Sequence, residues 1–285
     1  MKEKAMKMAV LLDIDNTLTP PRQQLTGQMA EILKRLCIPF HVAAGSDMAL
    51  LKEQFFEPLY IFGFREQFDA FLSNGATHYR CDFSKEMFIE MVSEFSIRDH
   101  LGEVNYNSLI NVLKETLELE EFQIRFPLKV IGERITYRGS MINFCPIGRV
   151  NKESAEALNN RSNFVEFDHT YRYRERLIDH LKHELSSLID QQQLTITLGG
   201  QTSFDIGIAN QDKANAVRTL LSTGIEKLVF IGDALYEGGN DAPLRKFVEG
   251  WHSINPCPLE TIQVSSWRET AQKFQELGFI CERAE

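Results

Sequence analysis

A chain of 285 residues, 43% hydrophobic and 25% charged, can bury one large core or two modest ones, and without low-complexity tracts or repeats it is not a disordered protein. A formal charge of -9 argues against a nucleic-acid partner, because phosphate backbones select a basic face. No apolar run nears the ~20 residues of a membrane helix, and the run behind Lys2, Lys4 and Lys7 meets Asp13 too soon for a signal peptide, so a cytoplasmic protein without membrane contact is expected.

Met8 to Leu12 has the length and flanks of a buried parallel strand, and it ends in Asp13-Ile14-Asp15-Asn16-Thr17-Leu18-Thr19. Both carboxylates are thereby delivered to the carboxyl edge of a sheet, where open α/β sheets bind ligands. With one residue between them, Asp13 can attack phosphorus while Asp15 handles a proton. Pro20-Pro21 then breaks the chain, and Thr26 to Leu36 reads as an amphipathic helix. Ile38 to Ala44 is a second buried strand ending in Gly45-Ser46-Asp47. There Ser46 can donate to a phosphoryl oxygen, and either Ser46 or Asp47 can cap the helix that opens near Met48. Phe68 to Ser73 reads as a third strand closed by an Asn74-Gly75 turn.

From about Cys81 the character changes to polar helical segments, Asn107 to Leu119 among them, which marks an inserted domain. Within it Glu121 to Pro127 alternates as a strand does, and Arg134 to Arg138 pairs with Met141 to Cys145 through a Gly139-Ser140 turn. Tyr173 to Ile189 carries Leu177, Leu181, Leu185 and Leu188 at helical spacing, and Leu194 to Leu198 and Thr202 to Ile206 form a second hairpin that puts Ser203 and Asp205 on one face. Helices with antiparallel strands make this an α+β unit, unlike the parallel first part. From Ile208 the α/β pattern resumes. Asp212-Lys213 opens a helix, Lys227 to Ile231 is a buried strand ending in Gly232-Asp233, and Gly238-Gly239-Asn240-Asp241 follows. Thr261 to Val264 is the last strand, and Ser265 caps a final helix from Trp267 to Leu277. The expected division is therefore 1–82 with 208–285, and 83–207.

Other features carry no chemistry of their own. Cys37, Cys81, Cys145, Cys257 and Cys281 are odd in number and dispersed, which predicts reduced, mostly buried thiols. His180 and His183 lie one helical turn apart without a third ligand, and Tyr171 to Arg174 reads as surface.

In order, then, stand an Asp-x-Asp strand end, a serine strand end, a lysine opening a helix, and an aspartate strand end followed by Asn-Asp. This set resembles that of the haloacid dehalogenase (HAD) superfamily, whose fold is a Rossmann-like parallel-sheet α/β core with, here, an inserted α+β cap of type IIB. Within it the chain is most similar to the eukaryotic-type phosphomannomutase family. Asp13 to Pro20 resembles that family's opening motif, Arg138 to Arg149 its cap signature, and Gly199 to Asp205 a second cap motif.

The resemblance implies a phosphotransferase that interconverts mannose 6-phosphate and mannose 1-phosphate through a phosphoaspartate and a hexose bisphosphate, ahead of GDP-mannose formation. Asp13 would be the nucleophile and Asp15 the general acid and base, with Lys213 and Ser46 holding the transferring group. Mg²⁺ would be held by Asp13, the carbonyl of Asp15 and Asp233, supported by Asn240 and Asp241; a dense carboxylate set suits such a hard cation. In the cap, Arg138 and Arg149 match phosphate-binding arginines, Arg161 matches a third if residues 151–160 contain an insertion, and Ser203 and Asp205 match sugar-hydroxyl contacts. A hexose 1,6-bisphosphate activator and pairing of two copies through the cap are implied as well. Asn16 stands where the family has glycine, a replacement a left-handed backbone tolerates. The alternative is a sugar-phosphate phosphatase with water as acceptor. A non-catalytic protein on a retired enzyme fold would have lost Asp13, Asp15, Lys213 or Asp233, and none is lost.

Overall fold

The structure, a computed structural model, describes residues 7–21, 23–150, 154–237, 239, 241–252 and 258–281. The chain divides into two units, Met1–Glu94 with Asn210–Glu285, and Phe95–Ala209.

The first unit is an α/β layer structure around a 7-stranded sheet. Its centre is β1 (Met8–Leu12), flanked in parallel by β2 (Phe40–Ala43) and β10 (Lys227–Gly232). Beyond them β3 (Gln67–Leu72) and β11 (Leu259–Gln263) continue the parallel order. The apolar runs of β1 and β10 are buried on both faces because helices cover both. Leu12, Val42, Ala70 and Val229 lie in one apolar cluster, with residues of α1 (Gly27–Leu33), α3 (Glu57–Ile61) and α10 (Trp267–Glu276). Leu11, Ala43, Phe71 and Phe230 lie in the other, with residues of α8 (Ala214–Ser222) and α9 (Ala242–His252). Thr26 caps α1, its hydroxyl accepting from Met29 N at 3.2 Å. Asp47, not Ser46, caps α2 (Met48–Leu51), which runs through a π-helical turn at Lys52–Phe56 into α3.

The region after Cys81 departs from the sequence reading. Asn74-Gly75 turns β3 into an antiparallel partner, β4 (Thr77–Asp82), and β5 (Phe88–Glu94) pairs with β4 at the sheet edge. Residues of β5 face solvent on both sides, so no apolar alternation betrays the strand, and the second unit opens at Phe95 instead of residue 83. At the other end of the chain, Ser266 occupies the cap position of α10, while the Ser265 N–H and hydroxyl both donate to Glu269.

Cys37 and Cys281 form a disulfide across 244 residues, contrary to the expectation of reduced thiols throughout. An isolated antiparallel bridge, Leu36 to Ile280, brings the segments together, with Cys37 N donating to Phe279 O at 2.8 Å and Cys281 N to Arg35 O at 2.9 Å. Such a separation leaves no spacing signature. Cys81 and Cys145 are free and buried as expected, and Cys257 lies outside the described residues.

The second unit is a 4-stranded antiparallel sheet, in the order β6 (Glu133–Tyr137), β7 (Ile142–Arg149), β9 (Ser203–Ile208), β8 (Leu194–Gly199). One face carries Ile142, Phe144, Phe204, Ile206 and Ile196 into a core shared with α4 (Ile97–Glu118), α5 (Ala155–Tyr171), α6 (Tyr173–Glu184) and α7 (Ser186–Gln192). The other face is polar. Two expectations fail here. Glu121 to Pro127 is loop, since Phe126 and its neighbours find no partner strand among the described residues, and the helix expected over Tyr173 to Ile189 is broken at Leu185 into α6 and α7. Among the described residues, no helix is long and apolar enough to cross a membrane.

Candidate active site

Asp13 is the first residue past β1. Its backbone N–H donates to Ile231 O of the neighbouring strand at 2.9 Å, which carries the parallel ladder one residue beyond β1 and fixes the carboxylate at the sheet's edge. The chain then folds around a single carbonyl: the amides of Thr17, Leu18 and Thr19 all converge on Ile14 O, at 3.2, 2.8 and 3.0 Å. This tight wrap turns Asp15 outward to solvent while Asp13 stays 3% exposed. Burial and exposure thus separate two carboxylates that are one residue apart.

Lys213, at the cap position of α8 and 1% exposed, reaches back to the same place. Its ammonium donates to Asp13 Oδ1 and, at 2.6 Å, to Asp241 Oδ1. Asp241 is fully buried, its second oxygen accepting from Ala234 N at 3.3 Å. Gly232 makes that approach possible, since a Cβ there would lie 2.5 Å from Asp241 Oδ2. Asp233, the next residue, is half-buried, and Asp13, Asp233 and Asp241 offer carboxylate oxygens all within 4.8 Å of one another. Ser46 lies just beyond β2, the strand beside β1, half-buried, its carbonyl accepting from Ser73 N at 3.0 Å. Asn240 lies outside the described residues.

Three carboxylates against one ammonium leave this cluster net negative in a buried place. Burial pushes the Asp13 carboxyl up to about 6 against the pull of Lys213, and the neighbouring Asp241 and Asp233 push it the same way. Asp233 is also raised, by burial first, with Asn16 working against the shift. Lys213 is burdened by burial too, yet the charges of Asp13 and Asp241 carry it above the ordinary lysine range. Both raised acids are carboxyls short of positive charge. An all-oxygen donor set with that deficit fits a hard divalent cation.

In the sequence Asn16 reads only as a departure, and the structure gives it work. It sits at φ 62°, the left-handed backbone that asparagine tolerates. From there its side-chain amide donates to Asp233 Oδ2 at 3.0 Å and to Ser265 O at 3.2 Å. Two substitutions separate its functions. Asn16→Gly keeps the backbone and loses the bonds; Asn16→Ala loses both. The alanine variant is expected to melt lower than the glycine variant by the equivalent of about 1 kcal/mol, and both to bind Mg²⁺ more weakly than the parent, as isothermal titration would measure.

The second unit gathers its own set of residues. Asn143, Ser203 and Asp205 share the polar face of the sheet, Asn143 standing directly opposite Asp205 in the register. Arg161, on α5, donates from Nε to Gln201 Oε1 at 3.1 Å, so the structure brings it to the β8–β9 turn. Arg174 holds the same turn, donating to Gly200 O at 2.9 Å while paired with Asp168 at 2.6 Å. Arg138 lies at the β6–β7 turn and Arg149 at the far end of β7 opposite Glu133, both exposed. The tie from Gln201 to Arg161 could not be foreseen, because α5 and the turn are distant in sequence. Asn143 lies inside the quoted cap signature, and alternation against Ile142 and Phe144 would have placed it on the polar face.

A model of the eukaryotic phosphomannomutase family matches residues 26–251. The chain belongs to that family. Phosphomannomutase of Schizosaccharomyces pombe is 32% identical over 245 residues, 84% of this chain and 86% of that protein. The Saccharomyces cerevisiae phosphomannomutase is 32% identical over 272 residues, covering 92% and 94%. Human phosphomannomutase 1 is 30% identical over 238 residues, covering 82% of each. Among solved structures, a HAD-superfamily phosphatase from Bacteroides thetaiotaomicron aligns over 98% of both chains with a TM-score of 0.54 at 14% identity. A Plasmodium falciparum IMP-nucleotidase aligns over 95% of this chain and 68% of that one, with a TM-score of 0.57 at 17% identity. At such identities the structures establish the fold, and the family membership makes this phosphomannomutase-family chain a HAD-type phosphotransferase.

Proposed function

We propose that the chain interconverts mannose 6-phosphate and mannose 1-phosphate, the first unit transferring the phosphoryl group and the α+β unit acting as a cap that holds the sugar. The observation that carries this reading is the division of labour at the end of β1: a buried Asp13 gripped by Lys213 beside Asp233 and Asp241, next to a solvent-facing Asp15. Asp13 attacks phosphorus, and the departing sugar oxygen takes a proton from Asp15, leaving a phosphoaspartate. A sugar hydroxyl then returns its proton to Asp15 as it attacks that phosphoryl group. A hexose bisphosphate passes between the half-reactions, which makes hexose 1,6-bisphosphate the activator.

Two of the three Lys213 N–H groups are committed to Asp13 and Asp241, and the third is available for a phosphoryl oxygen, with Ser46 as a further donor. Mg²⁺, with Asp13, the Asp15 carbonyl and Asp233 as ligands and Asn240 and Asp241 in support, would supply the missing positive charge. In the cap, Arg138, Arg149 and Arg161 hold the substrate's distal phosphate, for which the guanidinium fork is suited, while Ser203 and Asp205 meet sugar hydroxyls. Cytoplasmic residence and pairing of two copies through the cap belong to the same proposal; in that compartment the Cys37–Cys281 bridge would face reduction by the thiol pool.

Phosphorus NMR with mannose 1-phosphate, Mg²⁺ and a trace of hexose 1,6-bisphosphate tests the reading. Mannose 6-phosphate without inorganic phosphate is the expected result. Free phosphate alone would make the protein a phosphatase, and no change in either signal would reject the substrate.

A further inference from the structure

The polar face of the cap sheet contains a side chain whose hydrogen bonds are spent in an unusual direction. Asn143 is 2% exposed, and its amide nitrogen faces three acceptors: Asp205 Oδ1 at 2.7 Å, Ser203 Oγ at 3.1 Å and Phe204 O at 3.4 Å. Its oxygen is buried with no partner among the described residues. Flipping the amide would set that oxygen against the Asp205 carboxylate, so the orientation is fixed by its neighbours. A buried acceptor left unsatisfied lowers stability. An apolar residue at this position would avoid the penalty but would let the two acceptors drift.

The effect on Ser203 is chemical as well as geometric. Its hydroxyl donates to Gly199 O at 2.6 Å, and it accepts from Asn143. A hydroxyl has one proton, so Ser203 has only a lone pair left to offer. Asp205 is an acceptor throughout, and it lies flat over Gly199, where a Cβ would come within 2.8 Å of its carboxylate atoms.

Resting on the reading that Ser203 and Asp205 meet the sugar, we infer that Asn143 is a positioning residue that makes them a paired, acceptor-only reader of two sugar hydroxyl donors. Such a reader accepts hydroxyls and rejects groups that cannot donate. For the wild-type enzyme, monodeoxy and monodeoxyfluoro analogues of mannose 1-phosphate should lose affinity alike at the two positions read, since fluorine, like hydrogen, brings no donor.

The test compares wild type with Asn143→Asp, Asn143→Leu, Ser203→Ala and Asp205→Asn, each checked for a cooperative melt, measuring KM and kcat for mannose 1-phosphate from acidic to neutral pH. Asn143→Leu is expected to raise KM about 10- to 100-fold with little change in kcat. Asn143→Asp sets two carboxylates together, and the single proton they share in acid restores the bond to Asp205 but not the second donation to Ser203, so its KM should recover part of the way toward wild type in acid and worsen toward neutrality. A structural role alone would not produce that pH profile, and should Asn143→Leu fail to fold, the nearly isosteric aspartate variant still carries the test.

Equal tolerance of fluorine and hydroxyl at every ring position would overturn the acceptor-only reading. Unchanged KM in both Asn143 variants, with Ser203→Ala and Asp205→Asn still raising it, would overturn the positioning role and leave the proposed function intact. If all four variants keep the wild-type KM, the cap assignment itself fails.

Discussion

Asp13→Asn is expected to abolish turnover, by about 10⁴- to 10⁶-fold, while leaving the metal-free protein at least as stable as wild type above pH 6. The first half follows from losing the nucleophile. The second comes from the direction of the Asp13 shift. In the folded chain, burial holds its carboxyl at about 6, above the ordinary 3.8. A group whose folded value is raised stabilises the fold fully below the unfolded value, and that contribution is lost as pH rises through the folded one. The metal-free wild type should therefore lose stability between about pH 4 and pH 6, and asparagine, which cannot ionise, should remove that slope. The Lys213 contact survives, because the amide oxygen still accepts.

Thermal melts over pH in chelator, with and without added Mg²⁺, check this. The wild type should gain more from Mg²⁺ than the variant, since it alone offers the full carboxylate set. A variant that melts well below wild type at neutral pH in chelator would show that the ionised Asp13 holds the fold together, the reverse of what its environment implies.

How much of this was legible before the fold was known depended on whether a pattern was local. β1 and β10 announced themselves as apolar runs ending in aspartate, and the ladder from Asp13 to Ile231 shows why those ends coincide in space. The hairpins were readable because Gly139-Ser140 and Gly199-Gly200-Gln201 sit between alternating segments. Asn16 was readable as a backbone requirement, which φ 62° bears out. Its bond to Asp233 was not, because it spans 217 positions.

What failed lacked a local signal or had a misleading one. β5 exposes Phe88, Met91 and Val92 at a sheet edge, so neither face could be recognised as the buried one. Residues 121–127 alternate without a strand to pair with, and pairing, not alternation, makes a strand stable. The leucine stripe from Leu177 to Leu188 is buried as its spacing implies, yet the helix breaks beneath it at Leu185, because packing constrains side chains and tolerates a change of helix axis. The disulfide and the grip of Asn143 on Ser203 and Asp205 depend on register between distant segments, and register was visible only in part.

Lys213→Met is expected to injure stability and chemistry together, unlike Asp13→Asn. The ammonium lies wholly inside the fold and answers two buried carboxylates, Asp13 and Asp241. Methionine fills a similar volume, so packing is largely kept, but both acids lose their counter-charge. Removing one partner from a buried ionic cluster costs about 3–5 kcal/mol, and in a protein of this size that lowers the melting temperature by roughly 10 °C. Part of the loss is averted if Asp13, already raised, takes up a proton, so the variant should be least impaired in mild acid and worst at neutral pH. Adding Asp241→Asn removes the most deeply buried uncompensated charge and should restore much of the melt. It should not restore turnover, which falls about 10²- to 10³-fold because a donor to the phosphoryl group is gone. Lys213→Arg is no remedy, since a side chain 1% exposed between two carboxylates leaves no room for a guanidinium fork. Melting the single and double variants over pH, with turnover measured in parallel, separates the two roles. If Asp241→Asn fails to rescue the melt of Lys213→Met, charge compensation is not what Lys213 provides, and packing of its hydrocarbon stem takes its place.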